Sequence, residues 1–107
     1  MKVETQRAGD LLRKLEIEVV DFCKIDVEGG ELLVLQGLVE TLRCRRIKFL
    51  QLELNRPISQ RAGHVVSAPL QFLKTHGYAL TPESQPRFDQ SEWSCENFVF
   101  EPIAPHP

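Results

Sequence analysis

The spacing of apolar positions alternates along the chain between helical and strand periods. Leu11, Leu12 and Leu15 recur at helical intervals, with Arg13 and Lys14 turned away, and predict a helix over residues 6–16. The next segment, Val19-Val20-Asp21-Phe22-Cys23-Lys24-Ile25, is short, β-branched and aromatic. Being apolar on nearly both faces, it predicts a buried strand of a parallel sheet. It stops at Asp26-Val27-Glu28-Gly29-Gly30. Leu32, Leu35, Val39 and Leu42 then form the inward stripe of a second helix over about residues 31–43. Glu28 and Glu31 sit at its start, where acids are favoured. Residues 47–54 predict a second strand, ending at Asn55-Arg56-Pro57.

Further on, residues 56–66 read as a loop. A third helix starts near Ser67, with Pro69 in its first turn, Leu70, Phe72 and Leu73 on its apolar side, and Gly77 just past its end. Tyr78-Ala79-Leu80 predicts a short strand, residues 81–92 a polar loop, and residues 97–101 a last strand. The tail, residues 102–107, is proline-rich and predicted to be irregular. Strand, helix and strand over residues 19–54 form a βαβ unit, with parallel strands and a right-handed crossover. Leu35 and Leu52 face each other across that unit and are predicted core residues. The whole is an α/β pattern. No glycine-rich nucleotide turn follows a strand, and Gly29-Gly30 is flanked by Glu28 and Glu31, which repel phosphate.

Composition narrows the class. At 107 residues the chain is one domain or part of one, with 42% hydrophobic and 26% charged residues, as in ordinary globular proteins. A net charge of −2 gives no footprint for nucleic acid. The basic cluster Arg43, Arg45, Arg46 and Lys48 falls where the second helix ends, and the helix dipole accounts for it. No apolar run suits a membrane span and residues 1–10 have no signal-peptide core, so neither a membrane nor an export route is expected. Cys23, Cys44 and Cys95 are odd in number and far apart, which predicts reduced thiols in the cytoplasm; Cys23 and Cys44 lie in apolar segments and are expected to pack. His64, His76 and His106 are scattered, and no metal site is expected.

Candidate chemistry lies where a parallel sheet binds its ligands, beyond the carboxyl ends of the strands. The first strand leads to Asp26 and Glu28, the second to Glu53 and Asn55. Period-two alternation puts each pair on one side of its segment. Three carboxylates and an amide along one sheet edge can take a proton from a hydroxyl, bind a cation or hydrogen-bond a substrate. The structural alternative is equally concrete. Asp is a favoured N-cap and acids stabilise a first helical turn, which would explain Asp26, Glu28 and Glu31. Asn-Arg-Pro is also a turn sequence, and Asn97 can cap the start of the last strand.

The string from Val20 to Leu32, with Lys24-Ile25-Asp26-Val27-Glu28-Gly29 at its centre, resembles the signature of FkbM-type methyltransferases. Glu31-Leu32-Leu33-Val34-Leu35-Gln36-Gly37 continues the likeness. Phe49 to Glu53, Leu73 to Tyr78, and Asn97-Phe98-Val99-Phe100 resemble later family segments in the same order. The resemblance implies a class I methyltransferase fold and methyl transfer from S-adenosylmethionine to a hydroxyl of a natural product or sugar. It also implies that the last strand runs antiparallel beside the two parallel strands. The family's cofactor turn and ribose-binding acid precede the matched region. Residues 1–107 are therefore expected to be a partial domain, the C-terminal half of a doubly wound, Rossmann-like sheet with flanking helices. Within it, Asp26 is the candidate catalytic base or hydroxyl-orienting group, and Glu28, Glu53 and Asn55 are candidate substrate-binding residues. The competing expectation is a catalytically silent α/β module that acts only by association. Either way, the first strand is expected to leave one edge bare and to drive self-association.

Overall fold

The computed structural model describes residues 18–25, 31–61, 63, 67–90 and 92–103. The predicted helix over residues 6–16, the Asp26–Gly30 turn and residues 104–107 lie outside them. The described elements are β1 (Val20–Ile25), α1 (Glu31–Gln36), α2 (Val39–Arg43), β2 (Ile47–Asn55), α3 (Arg56–Arg61), α4 (Ala68–Thr75), β3 (Tyr78–Leu80), α5 (Ser84–Asp89) and β4 (Cys95–Pro102).

One mixed sheet, in the order β1-β2-β4-β3, carries these elements. β1 and β2 run parallel, with Phe22 beside Phe49 and Ile25 beside Leu52. β4 runs antiparallel to β2, setting Leu52 against Phe98 and Leu50 against Phe100. β3 closes the far side, antiparallel to β4. The parallel pair and the antiparallel last strand are both as expected. β2 is the spine because Leu50, Leu52 and Leu54, alternate positions along it, are at most 2% exposed. With Leu35, Leu38, Leu42, Leu73, Phe98 and Phe100 they make the core, and Leu35 and Leu52 are both fully buried.

β1 is an edge of the described sheet, but it is not the strand buried on nearly both faces that its apolar run predicts: Asp21, Phe22 and Lys24 are exposed. Cys23 and Ile25 lie over the core, and Val20 packs against it at the start of the strand. Further along that second face Phe22 is about half exposed.

The predicted second helix breaks in two. Gly37 stands at the break, where glycine's poor helix propensity weakens the ladder. There the Leu38 N–H turns to the Leu35 carbonyl at 2.9 Å, an i−3 bond, before the ladder resumes from Leu42 to Leu38. The turn moves the inward stripe to Glu31, Leu35, Leu38 and Leu42, leaving Leu32 and Val39 half-buried. α4 matches its prediction: Pro69 lies in the first turn, and Gly77 follows the end at φ 89°. A side chain there would be strained, and its Cβ would come within 3.2 Å of the Arg45 guanidinium.

Two predicted loops contain short helices. α3 begins behind Asn55, whose Oδ1 accepts the Ile58 N–H at 3.0 Å. That is an N-cap bond to an otherwise orphaned donor, with Pro57 in the first turn. α5 begins behind Thr81, whose hydroxyl accepts the Ser84 N–H at 3.2 Å. The buried Ser84 hydroxyl in turn accepts the Val99 N–H at 2.9 Å, joining α5 to β4. Phe88 of α5 and Trp93 then pack edge-on against Phe98.

The basic cluster is a charged surface, as the dipole reading has it. Arg43 pairs with Glu40 at 3.2 Å and Lys48 with Asp21 at 3.1 Å. Cys23, Cys44 and Cys95 are all free thiols. Cys44 is a correction: it caps the C-terminus of α2 and is exposed instead of packed. Cys23 is half-buried, and burial raises its thiol pKa above the ordinary value.

Candidate functional site

From Phe49 on, β2 delivers its odd positions to the sheet face opposite the leucine core, and Glu53 and Asn55 are the last two of them. Their neighbours come from β4. The antiparallel register sets Asn97 opposite Glu53 and Cys95 opposite Asn55. Residues directly opposite in a sheet share a face. Glu53, Asn55, Cys95 and Asn97 therefore converge on one patch at the carboxyl end of β2. Glu53 is half-buried, while Cys95 and Asn97 are exposed. The Cys95 thiol donates to Glu53 Oε1 at 3.1 Å. This bond holds one carboxylate oxygen in place on an otherwise accessible side chain.

Asn55 already has a task. Its amide oxygen caps α3, so contact with a ligand falls to its Nδ2 group. Behind the patch, the Arg56 N–H donates to the Ser94 carbonyl at 2.8 Å, and the Arg56 guanidinium lies 3.9 Å over the Trp93 ring. Trp93 donates its indole N–H to the Phe88 carbonyl at 3.0 Å. These contacts fix the turn that brings β4 back beside β2. Asp26 and Glu28 lie outside the described residues. The register sets Ile25 beside Leu52; Asp26 is next in sequence after Ile25, as Glu53 is after Leu52.

Cys95 and Asn97 are the residues the sequence did not assign to this site. They lie far from Glu53 along the chain and reach it only through the antiparallel register. The available signal was the likeness of Asn97–Phe100 to a closing strand, since the Leu52–Phe98 pairing places Asn97 beside Glu53.

The patch can hydrogen-bond a polyhydroxyl compound: a carboxylate accepts and two carboxamides donate, the Cys95 S–H being engaged by Glu53. A cradle for S-adenosylmethionine is a different matter. Among the described residues no glycine turn follows a strand. A cavity of about 260 Å³ between α4, β3 and α5 is lined by Leu70, Lys74, Tyr78 and Phe100. It is smaller than the roughly 300–1,000 Å³ usual for ligand sites, and β3 is not one of the parallel strands. The described residues do not fit the cofactor by themselves. No group of three or more His, Cys, Asp or Glu residues among them is placed to hold a metal ion. No helix among them is long and apolar enough to cross a membrane.

A small α/β domain with a polar patch at the carboxyl end of a parallel strand defines the class. The chain belongs to the FkbM methyltransferase family, whose domain model, described as "Methyltransferase FkbM domain", matches residues 1–80. The match takes in β1, β2 and β3 and ends before β4. No curated protein and no solved structure matches the chain.

Proposed function

We propose that this chain forms the acceptor-facing part of an S-adenosylmethionine-dependent O-methyltransferase, acting on a hydroxyl of a natural product or sugar. Family membership supports methyl transfer. The observation that carries the hydroxyl acceptor is the Glu53 carboxylate, held by Cys95 and faced by Asn97 at the end of a parallel strand. S-adenosylmethionine supplies an electrophilic methyl group, and the acceptor hydroxyl has a proton to lose. In this reading Asp26 orients that hydroxyl and takes its proton, while Glu28, Glu53 and Asn55 Nδ2 hold the rest of the acceptor. The parallel β1–β2 pair with its helical connection and the antiparallel β4 support reading the domain as the second half of a Rossmann-like sheet. Free thiols suit a cytoplasmic setting.

The test is an amide NMR titration of the chain with methyl glucoside, a simple polyol. Shifts should concentrate at Glu53, Cys95 and Asn97, and Glu53→Gln should weaken the binding about tenfold, as loss of a charged hydrogen bond of about 1.5 kcal/mol does. Shifts scattered elsewhere, or unchanged by Glu53→Gln, would remove the acceptor site from this patch. By calorimetry the chain alone should bind S-adenosylmethionine no more tightly than millimolar, and micromolar binding would show that these residues cradle the cofactor after all.

A further inference from the structure

We propose that the cavity between α4, β3 and α5 is a second binding site, for a small monocarboxylate that carries a ring-sized apolar body. It is distinct from the acceptor patch. Phe100, which lines it, pairs with Leu50 and belongs to the leucine core, whereas Glu53 and Asn97 lie on the other face of the sheet. Every lining residue falls within the described residues, and the lining is graded by depth. Tyr78 and Phe100 are buried and make the floor. Leu70 and Leu80 are half-buried walls, and Gln71, Lys74 and Gln85 are exposed at the rim.

The size selects a compact ligand. The volume is about 260 Å³, too small for a cofactor of two or three linked groups. A closed apolar cavity of about 150 Å³ already holds benzene. The remaining space takes a short chain and one head group. Leu70, Leu80 and the Phe100 ring supply the apolar contact that such a ring would bury.

The rim selects the head group. Lys74 is the one lining residue charged at neutral pH, since the Tyr78 hydroxyl is a protonated donor to the Ile47 carbonyl. Its charge is not spent on α5. Glu83, the N-cap of that helix, pairs with Arg87 at 2.9 Å, and Asp89 accepts from Gln85 at 2.9 Å. Among the described residues Lys74 forms no ion pair. A lysine in the last turn of a helix also suits the helix dipole, but the dipole does not account for the apolar cavity beside it. An ammonium at the mouth of an apolar cavity matches an anion with an apolar tail. The Gln71 carboxamide adds a donor for the second carboxylate oxygen. A phosphate, with its greater charge, would be left undercompensated against a single cation.

Amide NMR of the full chain, titrated with 3-phenylpropanoate, should move the signals of Leu70, Gln71, Lys74, Leu80 and Gln85 and leave those of Glu53 and Asn97 in place. The alcohol 3-phenylpropanol keeps the ring and lacks the charge. It should bind about tenfold more weakly, as loss of one charge-assisted hydrogen bond does. Acetate keeps the charge without the ring and should give no saturable shift. Lys74→Met keeps the apolar stem and removes the charge, so it should bring the acid down to the level of the alcohol. The position is exposed, and the circular dichroism spectrum should stay that of the parent. The absence of saturable binding by 3-phenylpropanoate, shifts centred on Glu53 and Asn97, equal binding of acid and alcohol, saturable binding of acetate, or a Lys74→Met chain that still prefers the acid would each overturn the proposal.

Discussion

The two flanks of β2 are built from similar sequence and end in opposite states. On the β4 side, Phe98 and Phe100 face Leu52 and Leu50 and are at most 1% exposed, sealed by Phe88, Trp93 and the helices. On the β1 side, Phe22 and Phe49 also stand side by side, yet each is about half in solvent. Strand pairing is equally regular on both flanks. What differs is the second layer: one aromatic pair has helices over it and the other has none among the described residues. Apolar alternation thus selects a strand and its register, while burial depends on which face receives a covering element.

That contrast can be broken most forcefully in the buried flank. Leu52→Ala should cost about 2–5 kcal/mol, because the side chain is fully buried and its neighbours are held by the sheet. Phe22→Ala, on the open flank, should stay below about 1 kcal/mol in the monomer; a chemical-denaturation midpoint that moves as far for Phe22 as for Leu52 would erase the distinction.

Next in size is the tether between the outer strand and the spine. The buried Tyr78 hydroxyl donates to the Ile47 carbonyl and accepts the Ile47 N–H. Tyr78→Phe strips both partners and should cost about 1–3 kcal/mol. Burial, the largest influence, pushes the phenol pKa above its ordinary value, against smaller opposing effects of the Ile47 hydrogen bond and of Arg45. The protonated phenol is therefore favoured in the folded chain. Its contribution is fully present below the unfolded pKa of about 10 and is lost as pH rises through the higher folded value. Tyr78 is the single tyrosine, so tyrosinate absorbance reads it alone. Ionisation at or below the free-tyrosine pH would contradict the buried placement.

Asn55→Ala should cost about 1 kcal/mol through loss of the α3 cap, and Asn55→Asp should recover most of it, as seen in thermal melts. A smaller effect is kinetic: Cys23 should react with iodoacetamide more slowly than the exposed Cys44, since burial raises its thiol pKa and limits access. Last, Lys48→Ala removes an ion pair whose side chains are 63% and 85% exposed, and its melt should match the parent's within error.

Much of the architecture was legible because it rests on period. Both parallel strands, α4 with its proline and glycine punctuation, β3 and the closing strand followed from apolar spacing and turn residues. What stayed hidden depends on single hydrogen bonds or on tertiary layering. α3 and α5 are each six residues long, too short for a periodic signal; α3 starts behind the Asn55 cap and α5 behind Thr81, whose hydroxyl accepts the Ser84 N–H. The break at Gly37 was visible as a glycine, but not as a shift of the buried stripe from Val39 to Leu38. For the candidate site, Glu53 and Asn55 could be read from the end of β2. Cys95 and Asn97 could not, because only the register of β4 brings them there. Asn55-Arg56-Pro57 also reads as a plain turn, and nothing in that string shows that the Asn55 side chain is engaged as a cap.

The strand order has a consequence for how the molecule comes into being. β4 lies between β2 and β3 although it follows both of them in sequence. While the polypeptide emerges from a ribosome, β2 waits with one side unoccupied and β3 has no neighbour at all. From Asn55 to Cys95 is 40 positions (95 − 55), roughly 2–8 s of synthesis at 5–20 residues per second. The sheet cannot close during that interval, so assembly of this domain is a late event dominated by distant contacts. A chain stopped after Ser94 would lose its keystone instead of its fringe, and should emerge as an open β1–β2 pair prone to capture by chaperones or by other unfinished chains.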